Sequence, residues 1–201
     1  MGIFDFFKRK EKTQPEKPVV KANDKGEFDL QLTDFNEKIH KAKAIADAWI
    51  DPAFESEFAH LKTGEPSKKG DIIELKIYVA NVALWGNKVE LTFDPVIASK
   101  DINDFVQKIN KQLDWLTKNK SLIKKAITSD LLQLKNESWL DEDQQTINKE
   151  DFIKPIQLTS VDFAKKAAFD LYFDDGNLFW GHSIILNVNS KREIKGASIA
   201  G

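Results

Sequence analysis

Cysteine is absent from the chain, which removes both a disulfide framework and a thiolate metal centre and makes a cytosolic location the easier expectation. Also missing is an excess of either charge. Thirty basic residues stand against 32 acidic ones for a net charge of -2, so no global field steers the protein toward nucleic acid, and no nucleic-acid partner is expected. No apolar run is long enough to span a bilayer. There is no Gly-x-Ser-x-Gly elbow, no phosphate-binding glycine loop and no repeat of fixed period. With those signatures missing, neither a catalytic residue nor a cofactor is expected. What the sequence does hold is apolar: 41% of its 201 residues, including five tryptophans, enough for one sizeable core but hardly two.

Met1 to Phe7 form a short apolar cluster ahead of Lys8, Arg9 and Lys10, and a polar, proline-containing run continues to about Asn23. That order does not suit a secretory leader, whose charges precede a longer apolar stretch ending in small residues. Gly2 follows Met1, but Phe6 stands where the myristoylation pattern needs Ser or Thr. Residues 1–23 therefore read as a disordered basic tail and linker, with 24–201 as a single domain. Ile3, Phe4 and Phe7 line one side of a helical turn, and Lys8, Arg9 and Lys10 can reach anionic headgroups. This arrangement offers a weak membrane-surface contact, so the expected location is cytoplasmic with a peripheral membrane option.

Phe28, Leu30 and Leu32 alternate within Gly26–Leu32 and predict a short strand that opens the domain. Asp34 and Glu37 match a capping box, and Ile39, Ala42, Ala46 and Trp49 follow at helical spacing up to Asp51-Pro52, which predicts a helix there. Phe54–Leu61 adds a further turn or two, Gly64–Gly70 is a loop, and His40 and His60 read as incidental. Ile73, Leu75, Ile77 and Val79 share one face of a run reaching Leu84. Trp85-Gly86-Asn87-Lys88 is the turn, and Val89, Leu91 and Phe93 return, which makes a hairpin.

The period then changes. Ile102, Phe105, Val106, Ile109, Leu113 and Leu116 form a helical stripe capped by Asp101. Ser121 is placed to cap a further helix carrying Leu122, Ile123, Ala126, Ile127, Leu131 and Leu134 toward Trp139. Lysines 108, 111, 118, 120, 124 and 125 decorate this pair without interleaved aromatic rings, the pattern of a solvated face and not of a phosphate track. Asp141-Glu-Asp143-Gln-Gln145 invites comparison with a calcium loop, but Thr146 replaces the glycine of the sharp turn and Phe152 the closing glutamate. The segment is read as an acidic loop, after which Asn148 caps a short helix and Ile156 and Leu158 begin a strand.

The densest signal is Phe169–Val188. Phe169, Leu171 and Phe173 alternate with Asp170 and Tyr172 as in a half-buried strand. Asp174-Asp175-Gly176-Asn177 supplies residues that tolerate positive φ, which predicts a reversal there and a return strand from about Leu178. On that return strand Trp180 and His182 share a face and Phe179 and Gly181 take the other. Gly181 beside the rings suits a bulge, close packing or a contact surface. His182 and the adjacent Ser183 point to opposite faces of a strand and cannot form a nucleophile and base pair.

With those residues in view, the chain resembles family 2262 of the bacterial domains of unknown function. Asn148–Ile153, Leu158, the Phe169–Ile184 block with its Asp-Asp-Gly and Phe-Trp-Gly-His sequences, and the terminal Ala197–Gly201 carry the likeness. Trp85-Gly86 ahead of a strand and two amphipathic helices is similar to that family's layout. The resemblance spans roughly residues 70–201 and leaves Gly26–Pro66 unplaced. It implies a fold and a bacterial origin but brings no activity, cofactor or catalytic residue; a link to toxin and immunity genes is analogy alone.

The expected fold is α+β: an antiparallel sheet built of hairpins, including a strand near Phe28, with amphipathic helices packed on one face. The expected role is a non-enzymatic protein-interaction module, of immunity type if the partner is toxin-like. Its candidate surface is Trp85, Asp174, Asp175, Trp180 and His182, with Trp85 approaching from the other hairpin. The alternative is a metal-binding domain or hydrolase centred on Asp174, Asp175 and His182, though two carboxylates at a tight turn normally serve the turn itself. Buried rings with a satisfied histidine are the competing reading of the aromatic group. Exposure decides between core and surface.

Overall fold

A computed structural model describes residues 17–43, 72–98 and 101–200. Among these residues eight strands form one mixed sheet: β1 (Val20–Lys21), β2 (Asn36–Lys43), β3 (Ile72–Leu84), β4 (Asn87–Phe93), β5 (Gln157–Phe163), β6 (Phe169–Asp174), β7 (Ser183–Val188) and β8 (Ile194–Ala200). Their order is β1-β3-β4-β5-β6-β7-β8, with β2 also pairing β3. Three helices, α1 (Ile102–Lys118), α2 (Lys120–Ser138) and α3 (Lys149–Ile153), lie between β4 and β5 in sequence. The class is α+β. Most ladders are antiparallel, whereas β1–β3 and β4–β5 are parallel.

Local signals produce the elements that depend on near neighbours. Leu84 pairs with Asn87, so Trp85 and Gly86 alone make the β3–β4 turn, with φ of 56° and 91°, as a two-residue reversal matched to strand twist requires. A tryptophan seldom takes such a φ. Here its indole Nε1 donates to the Leu116 carbonyl at 2.9 Å, which ties the turn to the end of α1. Asp101 caps α1 by accepting from the backbone N–H of Asn103 and Asp104, and Asn148 caps α3 through the Asp151 N–H. Val89, Leu91 and Phe93 on β4, Leu158, Val161 and Phe163 on β5, and Phe169, Leu171 and Phe173 on β6 turn inward against the α1 stripe and Ile123, Ile127 and Leu131 of α2. Ser121 is not a cap: α2 begins at Lys120, after Asn119, whose side chain donates back to the Trp115 carbonyl.

Two expectations at the start of the domain give way to long-range pairing. The segment around Phe28 forms no strand and joins no ladder. Instead the Asn110 side-chain amide accepts from the Leu30 N–H and donates to the Leu30 carbonyl, both at 3.0 Å, and Asp114 accepts from the Phe28 N–H. A buried amide on α1 thus does what a neighbouring strand would do for this backbone. The helix expected from Asp34 is replaced by β2, antiparallel to β3 from Asn36↔Val79 to Lys43↔Ile72. Ile39 and Ala42, three apart, suit a helix face and fall on opposite faces of a strand, but the long edge of β3 offers a ladder that an isolated helix cannot match. Asp34 accepts from the Gln31 N–H in a short 3-10 turn, and Glu37 pairs with Lys76 across the ladder at 2.9 Å. Ala46, Trp49, Phe54–Leu61 and His60 lie outside the described residues, as do Ile3, Phe4, Phe7, Lys8, Arg9 and Lys10.

The segment expected as linker also yields a strand before Asn23. Val20 and Lys21 pair with Val82 and Ala83 beyond the end of β2, and the Lys17 ammonium donates to the carbonyls of Thr33 and Phe35. At the opposite edge, the Ala197 N–H of β8 donates to the Asp130 carboxylate of α2 at 2.8 Å.

Candidate functional site

The β6–β7 connection is longer than a tight hairpin. Asp174 pairs with Ser183, so Asp175–His182 form a loop and the return strand begins at Ser183 instead of near Leu178. Its first reversal places Gly176 and Asn177 at φ of 61° and 66°, and its second places Trp180 and Gly181 at 56° and 83°. The two aspartates build the first. Asp174 accepts from the Gly176 N–H at 2.8 Å, while Asp175 accepts from Asn177 at 3.0 Å and from Phe179 at 2.6 Å. Asp175 is only 3% exposed, and backbone donors satisfy both of its oxygens. Both carboxylates therefore serve the turn.

Phe179 explains why the loop is long. Its ring is fully buried, edge-on to Trp139 at 5.5 Å and to Phe152 of α3 at 6.2 Å between centroids. Bringing it there takes the residues that would otherwise have extended β7. The following residue is levered outward: Trp180 is 57% exposed. Trp180 and His182 do not share a strand face; they sit around one ring, Trp139, at 4.8 Å and 5.2 Å. The His182 Nδ1–H donates to the Phe179 carbonyl at 2.6 Å, which fixes the tautomer because a carbonyl can only accept. Nε2 is left as the ring's other polar atom.

Of the five surface residues expected, Trp180 and His182 lie in this loop and Asp174 at its edge, whereas Asp175 is buried within it and belongs to no surface. Trp85 has a different neighbourhood, stacked at 6.5 Å on Phe173 with its Nε1 bound to α1. The ring that sequence reasoning missed is Trp139, noted only as the end of a helix. A tryptophan just past a helix C-terminus, followed by the acidic loop, was the available signal. Among the described residues no group of three or more His, Asp or Glu side chains could hold a metal ion, and no helix is long and apolar enough to cross a membrane.

The sheet face away from the helices holds a second cluster. Thr92 donates to Asp162 at 2.6 Å and Asn187 to Asp170 at 2.7 Å, on adjacent strands. Burial pushes the Asp162 pKa up; the Thr92 hydroxyl opposes this, while Asp170 and Asp94 add to it. The Tyr172 phenol is also raised, by burial and then by the same two aspartates, Asp170 and Asp162. The folded chain thus keeps a proton on Asp162 to higher pH than the unfolded chain, and this contribution is lost as pH rises from the ordinary carboxylate range through the raised value. Asp162→Asn, which can still accept from Thr92, should gain stability relative to wild type between about pH 4 and about pH 7. Urea unfolding at the two pH values measures it; a gap that stays constant would show that Asp162 is not destabilised by charge.

A family model described as an uncharacterized protein conserved in bacteria, DUF2262, matches residues 73–199. No curated protein and no solved structure matches the chain.

Proposed function

Because the chain belongs to DUF2262, a bacterial family without an assigned activity, we propose its role from its own surface: a non-enzymatic protein-interaction module that docks a partner on Trp180. The observation that carries this is an exposed indole on a fixed base. Trp180 is the most exposed large apolar side chain among the described residues, yet Asp175, Phe179 and Trp139 hold its loop in place. A rigid aromatic group that loses little freedom on binding is what interface hot spots use. Exposed Asp174 at its border favours a partner with a basic rim around an apolar pocket. An immunity protein that holds a toxin in the cytoplasm is the narrower form of this reading.

The test begins with partner identification by affinity purification from the bacterial host, followed by titration of the purified partner. Trp180→Ala should weaken binding about 30-fold or more, the scale of a hot spot. Its unfolding free energy should stay within about 1 kcal/mol of wild type. Equal affinity for the variant would remove Trp180 from the interface, and a stability loss near 3–5 kcal/mol would make it a core residue.

A further inference from the structure

Trp85 walls a separate cavity of about 170 Å³ between the β3–β4 turn, the first turns of α2 and the start of β5. Its polar lining is Lys120, Lys124, Lys154, Asn87 and Gln157, and it contains no carboxylate. Lys120 and Lys124 stand four residues apart on one helix face, where like charges repel. Lys120 donates to the Trp85 carbonyl at 3.3 Å and Lys124 to the Ile153 carbonyl at 3.5 Å. None of the three lysines has an acidic partner within ion-pair distance among the described residues. Lys124 also lines an adjoining hollow of about 360 Å³ with Lys125, Lys149 and one carboxylate, Glu150. Burial, and then the charge of Lys120, push the Lys124 pKa down.

Lys120, Lys124 and Lys154 line one hollow with no carboxylate among them. Lys120 is received by the Trp85 carbonyl and ring and Lys124 by one carbonyl oxygen, so an anion entering the hollow would meet positive charge that no acidic group offsets. The neutral amides of Asn87 and Gln157 add donors of the kind that orient an oxyanion. The hollow is small, with room for one tetrahedral anion and a modest substituent. The Trp85 ring, fixed by its hydrogen bond to Leu116 and backed by Phe173, supplies an apolar wall for that substituent. We propose that this cavity binds a small-molecule phosphate monoester, with the phosphate among Lys120, Lys124 and Lys154 and its organic group against Trp85. The lysines of α2 belong to a solvated face by sequence alone; Lys154, brought in from the end of α3, turns two of them into a site. This function would be separate from partner docking on Trp180.

Isothermal titration of the full chain with phenyl phosphate and with inorganic phosphate, at constant ionic strength, tests this. One saturable site is expected, tighter for phenyl phosphate. Lys124→Gln and Lys154→Gln should each weaken it about tenfold or more, the scale of a lost charge-assisted hydrogen bond, whereas Lys108→Gln on the exposed side of α1 should leave it unchanged. The two pocket variants, without ligand, should melt close to wild type, Lys124→Gln because it relieves repulsion from Lys120 and Lys154→Gln because the residue is exposed. Lys154 is exposed, so its variant keeps the test valid if Lys124→Gln folds poorly. Absence of saturable binding, or equal weakening by Lys108→Gln, would overturn the proposal, as would pocket variants that bind like wild type.

Discussion

Phe179→Ala is expected to destabilise the protein by about 3–5 kcal/mol, the range for emptying a buried aromatic site. The ring is fully enclosed, and its neighbours come from three places in the sequence: Trp139 after α2, Phe152 in α3 and its own loop. None can collapse into the space without dragging its element, so a large residual cavity and a cost in the upper part of that range are expected. Denaturant unfolding reads the loss directly. The same substitution should release Trp180, whose backbone follows immediately, so partner binding should fall with stability here, whereas in Trp180→Ala the two separate. A loss below about 1 kcal/mol would mean that the loop does not depend on Phe179.

Gly176→Ala should cost about 2–5 kcal/mol, the sum of two effects. At φ of 61° a Cβ meets the local backbone, typically about 1–2 kcal/mol. A Cβ at this position would also lie 2.3 Å from the Cβ of Pro155, within the α3–β5 connection. Proline cannot swing aside as a flexible side chain would, so one backbone must move, and overpacking of this kind adds roughly 1–3 kcal/mol. Gly181 separates the two contributions. It has a φ of 83° but open space around its Cβ position, so Gly181→Ala should show the backbone cost alone, about 1–2 kcal/mol. Equal melting temperatures for the two variants would refute the clash.

The comparison of the two glycines also marks how far the sequence was readable. A positive φ at Gly176 followed from Asp-Asp-Gly-Asn, a local pattern, whereas Pro155 as its neighbour could not, because only the fold brings the α3–β5 connection against this turn. The same division runs through the chain. The Trp85-Gly86 reversal, the caps at Asp101 and Asn148 and the inward faces of β4 and β6 depend on residues within a few positions of one another, and all were legible. β2 was not, because its ladder with β3 outweighs a spacing that by itself suits a helix. Nor was the role of Asn110, which looks like a polar interruption in an apolar stripe until Leu30 is found against it. The candidate surface was readable to the loop but not beyond it. Trp180 and His182 stood out as a pair, while Trp139, the ring that joins them, lies some forty residues earlier by subtraction of their numbers and is separated from them by α3 and two strands.

The parallel pairing of β4 with β5 has a further consequence, for the order in which the sheet can assemble. β3 and β4 are joined by two residues, and β5 to β8 follow one another as antiparallel neighbours, so the centre of each half of the sheet is made from contacts close in sequence, while β1 and β2 join β3 from farther away. The halves meet only along Glu90–Phe93 and Ser160–Phe163, four register pairs across which all three helices must first be folded out of the way. Loop closure over that distance precedes any gain from the seam, and contacts of high sequence separation are the slow ones. The two hairpin systems can gain structure independently, but they become one sheet only when the helical excursion has closed behind them. The Thr92–Asp162 hydrogen bond, which spans that seam, belongs to the completed sheet alone.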